Sequence, residues 1–308
     1  MTFPEQRVPR TITPRDAPAI EGNGELVFPW AHRELKTRVR AALDEDRAFH
    51  DVTTIATVVT DRHIRGRLVA REAGVVAGVP LAIEAFRQLD PKVSLRIDVE
   101  DGGRVQRGTP ILFISGHARP VLAAERVALN YMLRLSGIAS LTARYVDAVR
   151  GTRAKILDTR KTTPGWRALE KYAVRAGGGT NHRMDLATSV LIKDNHLAAL
   201  EGNIELGVRR ARDIAVPGTK VEVECETLEQ VAASIAAGAD IIMLDNMPPD
   251  MMQEAVQLAA GRVTLEASGG VTLENVRAIA ETGVDWISIG ALTHSARALN
   301  LAVDFDPL

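Results

Sequence analysis

TKVEVECETLEQVAASIAAGADIIMLDN, residues 219–246, holds two short apolar runs, KVEVEC and DIIMLD, separated by a segment of helix length. Strand-length runs alternating with helix-length segments predict strands buried on both sides, as in a parallel sheet. The texture continues in both directions. AKILDT from Ala154 and SVLIKD from Ser189 come before, and VTLEAS from Val263 and DWISIG from Asp285 come after. Strand alternating with helix implies βαβ units. Six clear strands with room for a seventh fall short of the eight of a full barrel, so the expectation is an incomplete α/β barrel. An open doubly wound sheet is the alternative.

Ahead of Gly151 the pattern is different. Leu35, Val39 and Leu43 recur every four residues and predict an amphipathic helix. From Ile64 to Ile114 short strands surround a helix at Pro80–Leu89, and DGGRVQRGTPILFI, 101–114, reads as a turn and a strand. Helical periodicity runs from Val121 to Val149 with an interruption expected at Ser136 and Gly137. Pro4, Pro9, Pro14 and Pro18 stand in a stretch with no apolar face, which predicts a disordered tail over 1–25. The domains expected are therefore an N-terminal α/β unit at 26–150 and a barrel at 151–293, with 294–308 available to pack on the former.

Composition narrows the partners. With 46% hydrophobic residues among 308, the chain can bury a proper core. Its 38 Lys and Arg against 39 Asp and Glu give a net charge of -1, which argues against a nucleic-acid partner bound by a whole basic surface. No apolar run approaches the roughly 20 residues of a membrane span, and the N-terminus lacks a signal-peptide pattern, so no membrane and a cytoplasmic location are expected. A lone Cys225 excludes an internal disulfide and a cysteine-cluster zinc site.

Parallel α/β proteins carry their chemistry at the C-terminal ends of strands. Here those ends read Asp158-Thr159-Arg160-Lys161, Lys193-Asp194, Glu224, Asp245-Asn246, Ser268-Gly269-Gly270 and Ile289-Gly290-Ala291. Each alone is readily a helix cap or a turn. Their repetition along one rim points to a site. Alternation in KVEVEC puts Glu222, Glu224 and Glu226 on one face and Val221, Val223 and Cys225 on the other. Carboxylates inside a barrel need compensation, which Lys161, Lys193 and Arg183 can supply or a metal can. A structural ion-pair network is the plain alternative. Glu224 with Asp245 suits Mg²⁺ or sugar hydroxyls. The SGG loop, with a helix expected to start at Thr272, and the IGA loop suit phosphate. The segment 158–183 adds Arg160, Lys161, Arg167, Lys171, Arg175, His182 and Arg183, cations for a small anion. Cations, carboxylates and glycine amides together fit phosphoribosyl chemistry.

DTRKTTPGWRALEKYAVRAGGGTNHR, VLIKDNH, VEVEC, IMLDN and EASGGV, in that order, resemble the nicotinate-nucleotide pyrophosphorylase, or quinolinate phosphoribosyltransferase, family. ERVALNYMLRLSGIAS and DVTT fit it as well, so the resemblance runs from about Leu26 to the C-terminus. It implies an N-terminal α/β sandwich beside an incomplete, about seven-stranded α/β barrel. It also implies transfer of phosphoribose from phosphoribosyl pyrophosphate to quinolinate, with loss of carbon dioxide and pyrophosphate, giving nicotinate mononucleotide for NAD synthesis. Mg²⁺ is the implied cofactor and a homodimer or higher homo-oligomer the implied assembly.

By motif position the resemblance places Arg160, His182, Arg183 and Lys193 around quinolinate, with Thr159 beside them and Lys161 near both substrates. Glu224 and Asp245 become the Mg²⁺ and ribose carboxylates, and Lys161, Glu224 and Asp245 the catalytic set. Ser268, Gly269, Gly270, Ile289, Gly290 and Ala291 fall at the phosphates, and Arg126 reaches the neighbouring subunit's site. Trp166 is expected only to pack. A different class is suggested by DGGRVQRGTPIL, which is superficially similar to a lipoyl or biotinyl carrier hairpin; no lysine stands at its tip. A phosphate-ligand sensor on the same scaffold is a third reading.

Overall fold

The computed structural model describes residues 26–306; the tail expected over 1–25 lies outside the described residues. The chain divides into two units. One comprises residues 26–150, 156–181 and 290–306, the other residues 151–155 and 182–289.

The first unit opens with α1 (His32–Glu45), whose Leu35, Val39 and Leu43 form the buried stripe that their spacing predicts. In α2 (Val52–Thr57) the Asp51 carboxylate caps the first turn, accepting from the Thr53 and Thr54 N–H groups. Next come β1 (His63–Ala70), β2 (Gly74–Val75), α3 (Val79–Leu89), β3 (Ser94–Ile97), β4 (Arg104–Val105) and β5 (Pro110–His117). DGGRVQRGTPILFI is thus turn, short strand, turn and strand. A long α4 (Ala118–Ala148) follows, and α5 (Arg167–Ala176) belongs to the same unit. The last strand of the chain, β12 (Leu301–Phe305), completes an antiparallel sheet in the order β12-β1-β5-β3. Gly66 faces Phe305 and Ala70 faces Leu301 across that final pairing.

α3 packs on α4, burying Leu81, Ala82, Ala85 and Phe86 against a stripe that includes Ala124, Ala128, Met132 and Leu135. Burying one leucine or phenylalanine contributes about 1.5–3 kcal/mol, so this seam is a substantial support of the unit. The interruption expected at Ser136 and Gly137 is absent: α4 is one helix of 31 residues. Both small residues serve close packing instead. The Ser136 hydroxyl accepts from the Ala77 N–H at 2.9 Å, and a Cβ on Gly137 would stand 2.2 Å from the Arg297 carbonyl oxygen.

The second unit is a parallel sheet with helices between its strands. Its elements are β7 (Val190–Ile192), α6 (Asp194–Ala198), α7 (Ile204–Ile214), β8 (Val221–Cys225), α8 (Leu228–Ala236), β9 (Ile241–Asp245), α9 (Pro249–Ala259), β10 (Thr264–Ser268), α10 (Val276–Glu281) and β11 (Trp286–Ser288). Strand order is β6-β11-β10-β9-β8-β7, where β6 is Lys155–Leu157. Lys155, the part of β6 that belongs to this unit, donates its N–H to the Asp285 carbonyl at 2.9 Å. Among the described residues this sheet has six strands. In place of a seventh there is one parallel bridge in the first unit, Leu157 with Thr180.

All five residues of β8 are buried, which is what strands covered on both faces require. Cys225 lies against α8, its Sγ 3.3 Å from Ser234 Oγ, and burial pushes its thiol up to about 11. It is a packing residue on the face opposite Glu224. Among the described residues no helix is long and apolar enough to cross a membrane.

Candidate active site

Consecutive neighbours β7, β8, β9 and β10 end in polar residues along one edge of the second unit. Lys193 follows β7, Glu224 stands one residue from the end of β8, Asp245 ends β9 and Ser268 ends β10. Ser268 and Asp245 are direct partners in the parallel register. The Lys193 ammonium donates to Glu224 Oε2; the lysine side chain is 43% exposed and the glutamate 9%. A buried carboxylate is thus held by a cation that water still reaches, a pairing that an incoming anion can loosen.

The β9 and β10 loops interlock. Asn246, in the left-handed region at φ 53°, donates its Nδ2 to Asp245 Oδ2 at 2.8 Å and its backbone N–H to the Ser268 carbonyl at 2.9 Å. Gly269 has φ +89° and passes so close that a Cβ would lie 2.2 Å from Asn246 Oδ1. Only glycine meets both demands. The helix expected from Thr272 begins at Val276, because Asn275 closes the loop on itself: it accepts from the Thr272 N–H at 2.8 Å and donates to the Gly270 carbonyl at 2.9 Å. Phosphate recognition at SGG would therefore rely on loop amides rather than on a helix terminus.

Deeper in the same unit lies a cluster that sequence reading assembled only in part. His182 Nε2 is 3.3 Å from Glu222 Oε2 and 3.5 Å from Glu266 Oε2. One donor atom from each of the three residues falls within 4.8 Å of the others. Both glutamates are buried, and Glu222 Oε1 and Glu266 Oε1 find no hydrogen-bond partner among the described residues. Burial pushes the Glu222 carboxyl up, and the neighbouring Glu266 charge pushes it further. For His182, burial alone would lower the pKa, but hydrogen bonds and charge from the two glutamates outweigh it and raise it to about 10. Its Nδ1 accepts the Arg183 N–H at 2.7 Å, a bond that the ring gives up on taking a second proton. The Arg183 guanidinium donates to the Ser189 carbonyl at 3.1 Å.

The cation-rich segment sorts itself within the first unit. Lys171 is 1% exposed and pairs with the fully buried Asp158, which also accepts from Asn181 Nδ2. Burial lowers the Lys171 pKa despite the Asp158 charge. The Arg175 guanidinium is held by the Val27 carbonyl at 2.9 Å, and Trp166 stacks on Tyr131 with ring centres 5.3 Å apart. These side chains shape the segment. Thr159 accepts from the Lys161 N–H at 3.0 Å, Lys161 is exposed, and the Arg160 Nε is buried with no hydrogen-bond partner among the described residues. Gly290 and Ala291 belong to this unit too: Thr293 Oγ1 contacts the Lys161 carbonyl at 2.7 Å and the Gly290 carbonyl at 3.2 Å. Ile289, in the other unit, is buried. Arg126 stands exposed on α4.

One unit thus gathers His182, Arg183, Lys193, Glu224, Asp245 and Ser268–Gly270, and the other gathers Thr159, Arg160, Lys161, Gly290 and Ala291. Glu266 escaped sequence reading because VTLEAS offers one glutamate among apolar neighbours. Strand alternation was the signal that could have found it, since it points Glu266 to the same face as Ser268.

Comparisons with known proteins agree over nearly the whole described chain. Residues 51–136 match the family model described as quinolinate phosphoribosyl transferase, N-terminal domain, and residues 138–304 match the corresponding C-terminal domain. A nicotinate-nucleotide pyrophosphorylase [carboxylating] of Mycobacterium leprae is 48% identical over 272 residues, covering 86% of this chain and 95% of its own. A probable enzyme of the same name from Bacillus subtilis is 43% identical, covering 89% and 94%. Among solved structures, the nicotinate-nucleotide pyrophosphorylase from Francisella tularensis superposes with a TM-score of 0.84 at 38% identity, covering 91% of this chain and 99% of that one.

Proposed function

The chain belongs to the quinolinate phosphoribosyltransferase family, and from that premise we propose how its residues divide the work. The reaction is the family's: phosphoribose passes from phosphoribosyl pyrophosphate to quinolinate with decarboxylation, giving nicotinate mononucleotide, carbon dioxide and pyrophosphate. The observation that carries the reading is the continuous rim Lys193, Glu224, Asp245, Ser268–Gly270, which sets a cation, two carboxylates and glycine amides side by side on neighbouring strands.

In this division Arg160, His182, Arg183 and Lys193 bind the two carboxylates of quinolinate, with Thr159 beside them. Ser268, Gly269 and Gly270, with Ile289, Gly290 and Ala291, take the phosphates. The C1–pyrophosphate bond breaks, positive charge builds on the ribose, and the pyridine nitrogen attacks C1. Glu224 and Asp245 stabilise that charge or hold the ribose hydroxyls, and Lys161 favours the departing anion. The carboxylate next to the quaternised nitrogen then leaves as carbon dioxide, its bonding electrons passing into the ring, and the ring carbon takes a proton. No protein nucleophile is needed.

Mg²⁺ is the proposed cofactor. Glu224 and Asp245 offer the hard oxygen donors it takes, and because Lys193 already engages Glu224 Oε2, an ion would depend on the remaining oxygens, water and substrate phosphate. When bound it would neutralise pyrophosphate charge. Arg126, exposed on its helix, is proposed to complete a neighbouring subunit's site in a homodimer or higher homo-oligomer, and a cytoplasmic location is proposed with it. Incubating the protein with quinolinate carrying a labelled 2-carboxylate, phosphoribosyl pyrophosphate and Mg²⁺ should release labelled carbon dioxide and nicotinate mononucleotide in equal amounts. Absence of both products would defeat the reading.

A further inference from the structure

Arg134 projects from α4 into the first unit with its side chain 28% exposed, and its guanidinium serves three acceptors. Nη2 donates to Glu170 Oε1 at 2.8 Å and also to the Thr293 carbonyl, and Nη1 donates to the Ala296 carbonyl at 3.1 Å. Glu170, on α5, is fully buried and carries the contact onward. Its Oε2 accepts the Thr163 N–H at 3.0 Å and its Oε1 the Thr163 hydroxyl at 2.9 Å. The Thr293 hydroxyl, in turn, reaches the Lys161 and Gly290 carbonyls. One guanidinium therefore tethers two separate segments to one rigid helix: 159–166, which bears Arg160 and Lys161, and 290–296, a short helix Ala291–His294 with its flanks, which bears Gly290 and Ala291.

The two side chains converge on backbone groups of both segments, the Thr293 and Ala296 carbonyls and the Thr163 N–H. A buried ion pair of this kind contributes little to net stability, because desolvation offsets most of its attraction. What it does provide is direction, since a planar guanidinium fixes the angles of everything it binds. We infer that Arg134 and Glu170 are positioning residues that set the spacing between Lys161 and the Gly290 loop, and so act on the phosphoribosyl pyrophosphate half of the reaction rather than on quinolinate binding. This rests on the roles proposed above for Lys161 and Gly290. An error of about 1 Å in such a spacing costs as much as a hundredfold in rate.

The double variant Arg134→Met with Glu170→Leu separates position from stability. Replacing both members by apolar side chains leaves no buried charge unpaired but takes the partners from the Thr163 N–H and the Thr293 and Ala296 carbonyls, so the melting temperature should fall, and the kinetics are read well below it. The unaltered protein is assayed first, and its turnover tests the proposed function independently. In the double variant the expected result is a kcat lower by about tenfold or more and a raised KM for phosphoribosyl pyrophosphate, with the KM for quinolinate within about twofold of the unaltered value. A stable double variant with unaltered kcat and KM would overturn the inference, as would a loss confined to the quinolinate KM. Should the double variant fail to fold, Arg134→Lys decides. It keeps a cation opposite Glu170 but loses the planar fork that holds the Thr293 and Ala296 carbonyls; it should show the same kcat and KM pattern, several-fold in size, and unaltered kinetics would overturn the inference equally.

Discussion

Glu224 is nine-tenths buried yet answers to an ammonium that is nearly half exposed, so its charge is held but not sealed. That makes it a group whose partner can change as substrate enters. Glu224→Gln keeps the shape and removes the charge, and it should lower kcat by roughly a hundredfold or more, as loss of one electrostatic stabiliser does. Asp245→Ala should do the same. Near-normal turnover of either variant at saturating Mg²⁺ would refute its assigned role. One residue away in sequence, Cys225 has no exposed surface and packs on Ser234, so it should resist iodoacetamide at pH 8 in the native protein and react promptly in guanidinium chloride. Fast native labelling would show that β8 opens. Alternation in KVEVEC made both positions legible, because neighbouring residues of a strand must face opposite ways. The pairing of Glu222 with Glu266 was not legible: it depends on register across β9, which a single strand does not carry.

At the scale of elements, the strand texture of the parallel sheet could be read directly, since burial on both faces leaves little freedom in composition. Helix ends were harder. Ser136 and Gly137 look like a break in sequence, yet α4 passes straight through them, because the helix there meets Ala77 and Arg297 too closely for larger side chains. Thr272 looks like a helix start, yet Asn275 spends four residues closing a loop. Gly137→Ala tests the first point. Alanine would gain up to about 1 kcal/mol of helix propensity, but its Cβ would meet a backbone oxygen that cannot swing aside. A net loss of about 1–3 kcal/mol is expected from the shift in denaturation midpoint, the usual cost of overpacking. A neutral or stabilising change would mean that the Arg297 segment yields readily.

For the whole molecule, the proposed roles predict selectivity from charge. As proposed, Arg126, Arg160, Arg183 and Lys193 offer more donors than one carboxylate can engage. Nicotinate would leave cations facing a missing partner, at a cost of about 2–5 kcal/mol for a buried charged pair. Quinolinate should therefore be favoured by roughly thirtyfold or more in kcat/KM, at 1.4 kcal/mol per factor of ten. Equal values for both acids would leave the acceptor open. The terminal strand β12 has a different kind of consequence, in time rather than space. It supplies the outer edge of a sheet whose β1 was made more than 200 residues earlier. At 5–20 residues per second, the ribosome leaves that edge waiting roughly 10–50 s for its partner. During synthesis the first unit is thus an open ladder, exposed to chaperones and to neighbouring nascent chains. Chains ended by a stop codon in place of Leu301 should stay in that state permanently, and limited proteolysis should cut them within β1 under conditions that spare the full-length protein.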